Sequence, residues 1–240
     1  MTDRVLDRSG FESAWEIAGE IPGWLTREQA SDLWHAARQL PPGATIVEIG
    51  SHQGRSTVVL AHAAARVGGR VMAIDAFCEG PMLGGAATKG KFEANVARAG
   101  LAGSVELLVN YSTKLRPQWN GPVDLLYVDG KHDYWTFGDD LRWSDWLPAN
   151  GPIFVHDCFS SIGVTSGVLV KVLPSRRYAF SGRTGSLARF ERRPPTGADR
   201  WRLIQQLPWF ARNVIIKVLL RLRLRPVAAT LGHAGPYDPY

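Results

Sequence analysis

The chain has 240 residues and 26.4 kDa, room for one α/β domain with extensions. With 45% hydrophobic and 21% charged residues, it is neither a disordered nor a collagen-like chain. Two cysteines, Cys78 and Cys158, lack ligand spacing, which argues against a disulfide-stapled mini-protein and a structural zinc site and suits a reduced, cytoplasmic compartment. The net charge of +6 is unevenly spread: residues 176–225 hold 13 Lys and Arg against Glu191 and Asp199, a local balance of +11, so the remainder sums to −5. The basicity belongs to the C-terminal segment rather than to the body.

The N-terminal MTDRVLDRSGFESAWE has no apolar core of a secretory signal, and no apolar run reaches the roughly 18–20 residues that span a bilayer. Residues 11–40 read as helical, with Thr26 as an N-cap and Ala30, Leu33, Trp34, Ala37 and Leu40 at helical spacing until Pro41-Pro42-Gly43. The pattern then alternates. ATIVEIG, GRVMAID, VELLV, VDLLYVDG and GPIFVHD read as strands, and STVVLAHAAARV, FEANVARAGL and FGDDLRWSDWL as helices. Apolar strands alternating with helices predict a doubly wound, mostly parallel α/β sheet covered on both faces.

Residues 1–40 are expected to be a helical extension, 41–190 the α/β domain, and 191–240 a linker, a basic amphipathic helix and a tail. The glycine-rich stretch 76–90, AFCEGPMLGGAATKG, reads as a loop at a strand end. Its apolar residues, Phe77, Pro81, Met82 and Leu83, are candidates for a lid, with Lys89 and Lys91 as exposed cleavage points. In the segment 201–225, Pro208 leaves a helix of about four turns from Trp209. That helix suits an anionic membrane surface or a homodimer interface equally, and nucleic acid least.

Chemistry concentrates at the strand ends. The first strand runs into Glu48-Ile49-Gly50-Ser51-His52-Gln53-Gly54-Arg55-Ser56-Thr57. Gly50 and Gly54 allow a close backbone approach to a ligand, and Ser56 and Thr57 fall where free N–H groups open a helix. The spacing is neither G-x-G-x-x-G nor a P-loop. Asp75 ends the second strand, where an acid takes ribose hydroxyls. Asp129 ends a later strand and His156-Asp157 the next. In a parallel sheet these ends share one edge, so two carboxylates can converge on a hard cation.

VEIGSHQGRST, AIDAF, LLYVDGKHDY and GPIFVHD, in that order, resemble the class I S-adenosylmethionine-dependent methyltransferases over roughly residues 20–190. More narrowly they resemble the metal-dependent O-methyltransferases, above all the branch acting on macrolide sugars and bacterial glycans. The resemblance implies that Glu48, Gly50, Ser51, Gly54 and Ser56 surround the methionine part of S-adenosylmethionine. Asp75 would bind the ribose and Ser112 would lie by the adenine. It places the metal ligands at Asp129, His156 and Asp157, for a divalent cation, magnesium first and manganese second. The family usually has an acid where this chain has His156. Imidazole suits softer metals than magnesium, so either the metal differs or His156 stands behind the ligands.

His132 stands where catechol-type enzymes place their base, with Lys131 and Asp133 as second choices. Trp143 and Trp146 fit a core, and Trp135 a wall for a sugar ring. The expected activity is O-methylation of a sugar or oligosaccharide hydroxyl in bacterial glycan biosynthesis, in the cytoplasm or at the inner face of its membrane. Two alternatives share the sequence pattern: a nicotinamide-dependent oxidoreductase, and a non-catalytic membrane-surface module.

Overall fold

A computed structural model describes residues 3–78 and 85–233, with side chains from residue 10 onward. Two helices, α1 (Asp3–Ala18) and α2 (Arg27–Arg38), precede the sheet. The chain thus breaks at 19–26 within the span expected to be helical. Thr26 caps α2 in a reciprocal box: its Oγ1 accepts from the Gln29 amide, and Gln29 Oε1 accepts from the Thr26 amide at 3.0 Å. The alternation then follows as β1 (Thr45–Ile49), α3 (Arg55–Ala65), β2 (Arg70–Asp75), α4 (Gly85–Arg98), β3 (Val105–Val109), α5 (Ser112–Leu115), β4 (Leu125–Val128), α6 (Tyr134–Asp140), β5 (Pro152–Val155) and α7 (Ile162–Gly167). A β-hairpin, β6 (Tyr178–Thr184) and β7 (Leu187–Arg192), and three helices, α8 (Gly197–Ile204), α9 (Leu207–Arg221) and α10 (Arg225–Thr230), complete it.

The seven strands lie in the order β3-β2-β1-β4-β5-β7-β6. β1 to β5 are parallel, and β7 runs antiparallel to both β5 and β6, so the expected doubly wound, mostly parallel α/β sheet is what the chain forms. Successive residues serve opposite faces. Ile46, Val71, Leu125, Tyr127 and Phe154 pack under α1–α4, while Val47, Ile49, Met72, Val128 and Val155 pack against Phe137, Val164 and Leu203. Strand order reverses between β1 and β4, and such a switch point opens a crevice at the carboxyl edge.

Several expectations need correction. The stretch 76–90 is not all loop, because α4 already begins at Gly85. Lys89 and Lys91 therefore sit in a helix, and Lys89 pairs with Glu93 one turn on. Phe77 is buried against Phe92, with ring centroids 6.1 Å apart, so it belongs to the core rather than to a lid. Pro81, Met82 and Leu83 lie outside the described residues. Residues 191–200 are no loose linker: they end β7 and open α8, where Thr196 and Asp199 form a second capping box and Asp199 accepts from Arg193 at 2.8 Å. Pro208 lies in the first turn of α9, where its missing N–H costs nothing.

Candidate active site

The β-ladder runs one residue past the strand ends and brings the site together. Gly50 N donates to Ile74 O at 2.9 Å, Asp129 N to Ile49 O at 2.8 Å, and His156 N to Val128 O at 2.9 Å. Gly50 has φ +90°, and a Cβ there would stand 2.2 Å from the Asp129 carbonyl oxygen. Only glycine lets β1 and β4 approach this closely.

On the β1–β2 side the turn 50–54 is held from three directions. Asp75 Oδ2 accepts from the His52 amide at 2.8 Å, and its Oδ1 from the Phe77 amide at 2.7 Å. Asn95 of α4 donates to the Gln53 carbonyl at 2.9 Å. Glu48 is fully buried beneath the turn, its two oxygens accepting from the hydroxyls of Ser56 and Thr57. Burial pushes its carboxyl up to about 7, against the pull of those hydroxyls. Ser51 is also buried. Ser112, at the start of α5, donates to buried Asp140, whose carboxyl burial raises to about 6. Asp140 Oδ2 is buried without a partner, close to the backbone of Gly130.

On the β4–β5 side the chemistry is charge. Asp129, His156 and Asp157 each offer a ligand atom, all within 4.8 Å of one another. His156 Nδ1 lies 3.3 Å from Asp129 Oδ1 and 3.5 Å from Asp157 Oδ1. His132 spans the mouth, with Nδ1 3.0 Å from Asp157 Oδ2 and Nε2 3.5 Å from Asp129 Oδ1. Burial alone would lower the His156 imidazole, but the two carboxylates outweigh it and raise it to about 10. Burial would likewise raise Asp129, yet His156 and His132 hold it well below the usual carboxylate range. His132 is raised as well, Asp129 and Asp157 outweighing its desolvation. A buried carboxylate, Asp157, and a half-buried one, Asp129, thus attract any cation that fits between them, and here both imidazoles fill that role.

Two further residues complete the site, and sequence reasoning did not assign them to it. Tyr127 is fully buried and donates to Asp129 Oδ2 at 2.8 Å. It stands two residues before Asp129, on the same face of the strand, and that spacing was the available signal. Gln29 reaches in from α2. Its Nε2 donates to Thr184 O at 3.3 Å and to Ser186 Oγ at 3.2 Å, so its Oε1 is left to accept from His156 Nε2 at 3.2 Å. His156 therefore carries a proton on Nε2 and turns Nδ1 towards the carboxylates. Ser160 Oγ donates to Asp157 Oδ1 at 3.1 Å, and Asp157 itself has φ +53°, a strained backbone that aims its side chain.

Of the candidate bases, only His132 faces the carboxylates. Asp133 caps α6, accepting from the amides of Trp135 and Thr136, and exposed Lys131 pairs with Asp133 at 3.2 Å. Trp143 is fully buried and Trp146 packs against it, as a core role requires, whereas Trp135 is 75% exposed on the helix beside His132. A separate cavity of about 320 Å³ between α2 and the β6–β7 hairpin, lined by Asp32, His35, Arg183 and Arg189, contains none of these groups.

The donor set fits a divalent cation. Asp129 and Asp157 present carboxylate oxygens to one point, and His156 Nδ1 would join them as a ligand on giving up its proton, its outer nitrogen engaged by Gln29. Against known proteins, residues 47–158 match the model of a family described as a methyltransferase domain. Among solved structures, the chain is similar to the SAH-bound methyltransferase PaMTH1 of Podospora anserina, with a TM-score of 0.60 and 16% identity over 76% of this chain and 87% of that one. It is similar to an O-methyltransferase of Bacillus cereus in complex with SAH, with a TM-score of 0.56 and 19% identity over 77% and 91%. An rRNA methylase of Streptococcus thermophilus also matches, with a TM-score of 0.50 and 16% identity over 71% and 98%. Residues 47–158 are thus similar to a methyltransferase domain, and the chain has the Rossmann-like α/β fold of these solved structures. Their names differ in acceptor, so the fold alone does not choose one.

Proposed function

We propose that the chain is a metal-assisted O-methyltransferase that uses S-adenosylmethionine and methylates a sugar hydroxyl. The observation that carries this reading is the Asp129–His156–Asp157 cluster, placed at the switch point against Gly50 and overhung by His132. The turn 50–54, Asp75 and Ser112 are the groups that would hold the cofactor, and two similar structures are described as bound to SAH or in complex with it. A divalent cation held by Asp129, His156 and Asp157 would favour the ionised form of an acceptor hydroxyl.

In the transfer, the acceptor oxygen forms a bond to the methyl carbon as the carbon–sulfur bond breaks. The sulfonium charge is quenched, S-adenosylhomocysteine leaves, and the hydroxyl proton passes to His132. Asp129 and Asp157 hold His132 towards its protonated form, and His132 would be free to accept the proton once their charge was offset by a bound cation. Exposed Trp135, beside His132, offers a flat apolar face for a sugar ring.

Transfer of labelled methyl onto a panel of glycosides, with and without EDTA, tests this reading. Chelation should abolish transfer, and His132→Ala should lower turnover roughly 10²–10⁴-fold, the range for losing a general base. Full activity in EDTA would remove the metal from the mechanism. Isothermal titration showing NAD binding and no S-adenosylhomocysteine binding would overturn the reaction class.

A further inference from the structure

The C-terminal helices show solvent a face that a packed protein normally covers. α9 holds α10 through Arg212 Nε, which donates to the Leu231 carbonyl at 2.7 Å, and packs on the body by one side. Asn213 and Ile216 are fully buried there, and Asn213 Nδ2 donates to the Phe159 carbonyl at 3.1 Å, just beyond Asp157. The Arg183 guanidinium lies over the Trp209 ring at 3.9 Å. The opposite side carries Ile215, Val218 and Leu222 at helical spacing, 52%, 51% and 63% exposed. Leu224, Val227 and Leu231 continue an exposed apolar stripe through α10. Arg221, Arg223 and Arg225, all exposed, alternate with Leu222 and Leu224 where α9 gives way to α10, and no acidic residue occurs from Arg200 to His233.

We propose that α9 and α10 dock the protein onto the surface of an anionic bilayer. Aliphatic side chains with cations along their margin match the boundary between acyl chains and phosphate headgroups. The charge pattern argues against a second copy as the occupant. A two-fold contact sets a patch against itself, so it would bring arginine against arginine with no carboxylate in the segment to offset them. A phosphate backbone would satisfy the arginines but leave the aliphatic stripe in water. No helix among the described residues is long and apolar enough to cross a membrane, so the contact is a surface one. Because Asn213 ties α9 to the loop that carries Asp157, docking fixes the site at a set position above the lipid.

Co-sedimentation of the full chain with vesicles tests the proposal, using mixed phosphatidylcholine–phosphatidylglycerol vesicles and pure phosphatidylcholine vesicles. The chain should prefer the mixed vesicles at least about tenfold and lose binding as salt rises. The triple variant Arg221→Glu, Arg223→Glu, Arg225→Glu should weaken binding roughly 100-fold, at about fivefold per cation. The variant Ile215→Ser, Val218→Ser, Leu222→Ser should also lose it. All six side chains are exposed, and unchanged circular-dichroism melts would verify that both variants fold. Equal binding to neutral and mixed vesicles, or binding that survives both variants, would overturn the proposal. So would a dimer in sedimentation velocity that the serine variant abolishes, since a second copy would then cover the face.

Discussion

At the ends of β1 and β2 the chain shapes its turn mainly with backbone groups: Gly50 continues the ladder, His52 and Phe77 give their amides to Asp75, and α4 braces Gln53. At the ends of β4 and β5 the backbone only delivers Asp129, His156 and Asp157, and the arrangement is held by attraction between ionised side chains. The first region is organised before any ligand arrives. The second is a cluster of opposite charges, in which the imidazoles of His132 and His156 balance the carboxylates of Asp129 and Asp157. A cofactor with many hydrogen-bonding groups suits the former, and a hard ion suits the latter.

If the two regions divide the work in this way, they should fail separately. Asp157→Ala should lower methyl transfer by roughly 10³-fold, several kcal/mol of charge stabilisation, while S-adenosylhomocysteine affinity by titration stays within a few-fold. Equal loss of both would mean the regions are one unit. Gly50→Ala is the substitution that breaks the separation. Its Cβ would collide with the Asp129 carbonyl at 2.2 Å and force φ +90° on a side-chain-bearing residue. Both cofactor and metal binding should fall, and chemical denaturation should show about 3 kcal/mol less stability, left-handed strain of roughly 1–2 kcal/mol plus the clash. Gly43→Ala is the control, since it has positive φ but nothing within 4 Å, and it should cost the strain alone.

The alternation of β1 to β5 was legible because each strand is a largely apolar run, most completely in β1 and β4, where every residue is buried. The β6–β7 hairpin was not: YAFSGRTGSLARF places two glycines and two arginines in a pairing with a bulge between Phe180 and Gly182, which blurs the period-two pattern. The segment 191–200 was misread because Pro194-Pro195 suggests a linker, while the order comes from Arg193 and Arg202 converging on Asp199. In the site, Asp129, His156 and Asp157 could be read as strand-end residues. Gln29 could be read only as a capping residue, because its partner His156 lies 127 positions away. Sequence spacing carries strand ends well and carries long-range orientation of a side chain not at all.

Gln29 joins α2 to the charged region, and its removal should separate orientation of His156 from the ligand set itself. Gln29→Leu leaves Nε2 of His156 without its acceptor, so the ring can turn or shift its proton to Nδ1. Mn²⁺ affinity, read by electron paramagnetic resonance, should fall about 10–100-fold, the usual effect of removing an outer hydrogen-bond partner. S-adenosylhomocysteine affinity should stay unchanged. Gln29→Asn, with a shorter amide, should recover part of the loss if the acceptor is what matters. Unaltered Mn²⁺ binding in Gln29→Leu would leave Gln29 as a helix cap only.

The smallest effect concerns Glu48, the fully buried carboxyl beneath the turn of the backbone-built region. Its carboxyl sits at about 7 in the folded chain because burial disfavours the charged form, against 4.5 in an exposed chain. Below pH 4.5 both states hold the proton and no penalty exists. Between 4.5 and 7 the unfolded chain releases it first, so folded stability falls as pH rises, and above 7 the loss is complete. The native protein should therefore lose about 2 kcal/mol between about pH 5 and about pH 6.5 relative to Glu48→Gln, at about 1.36 kcal/mol per pH unit. The amide introduced by Glu48→Gln still offers a carbonyl oxygen to one of the two hydroxyls, so the variant keeps its fold. The aspartates and histidines of the charged region are present in both proteins, so the difference between the two melting curves reports Glu48 together with its repulsion from Asp129. A parallel pair of curves would show that Ser56 and Thr57 stabilise the ionised carboxylate enough to offset burial.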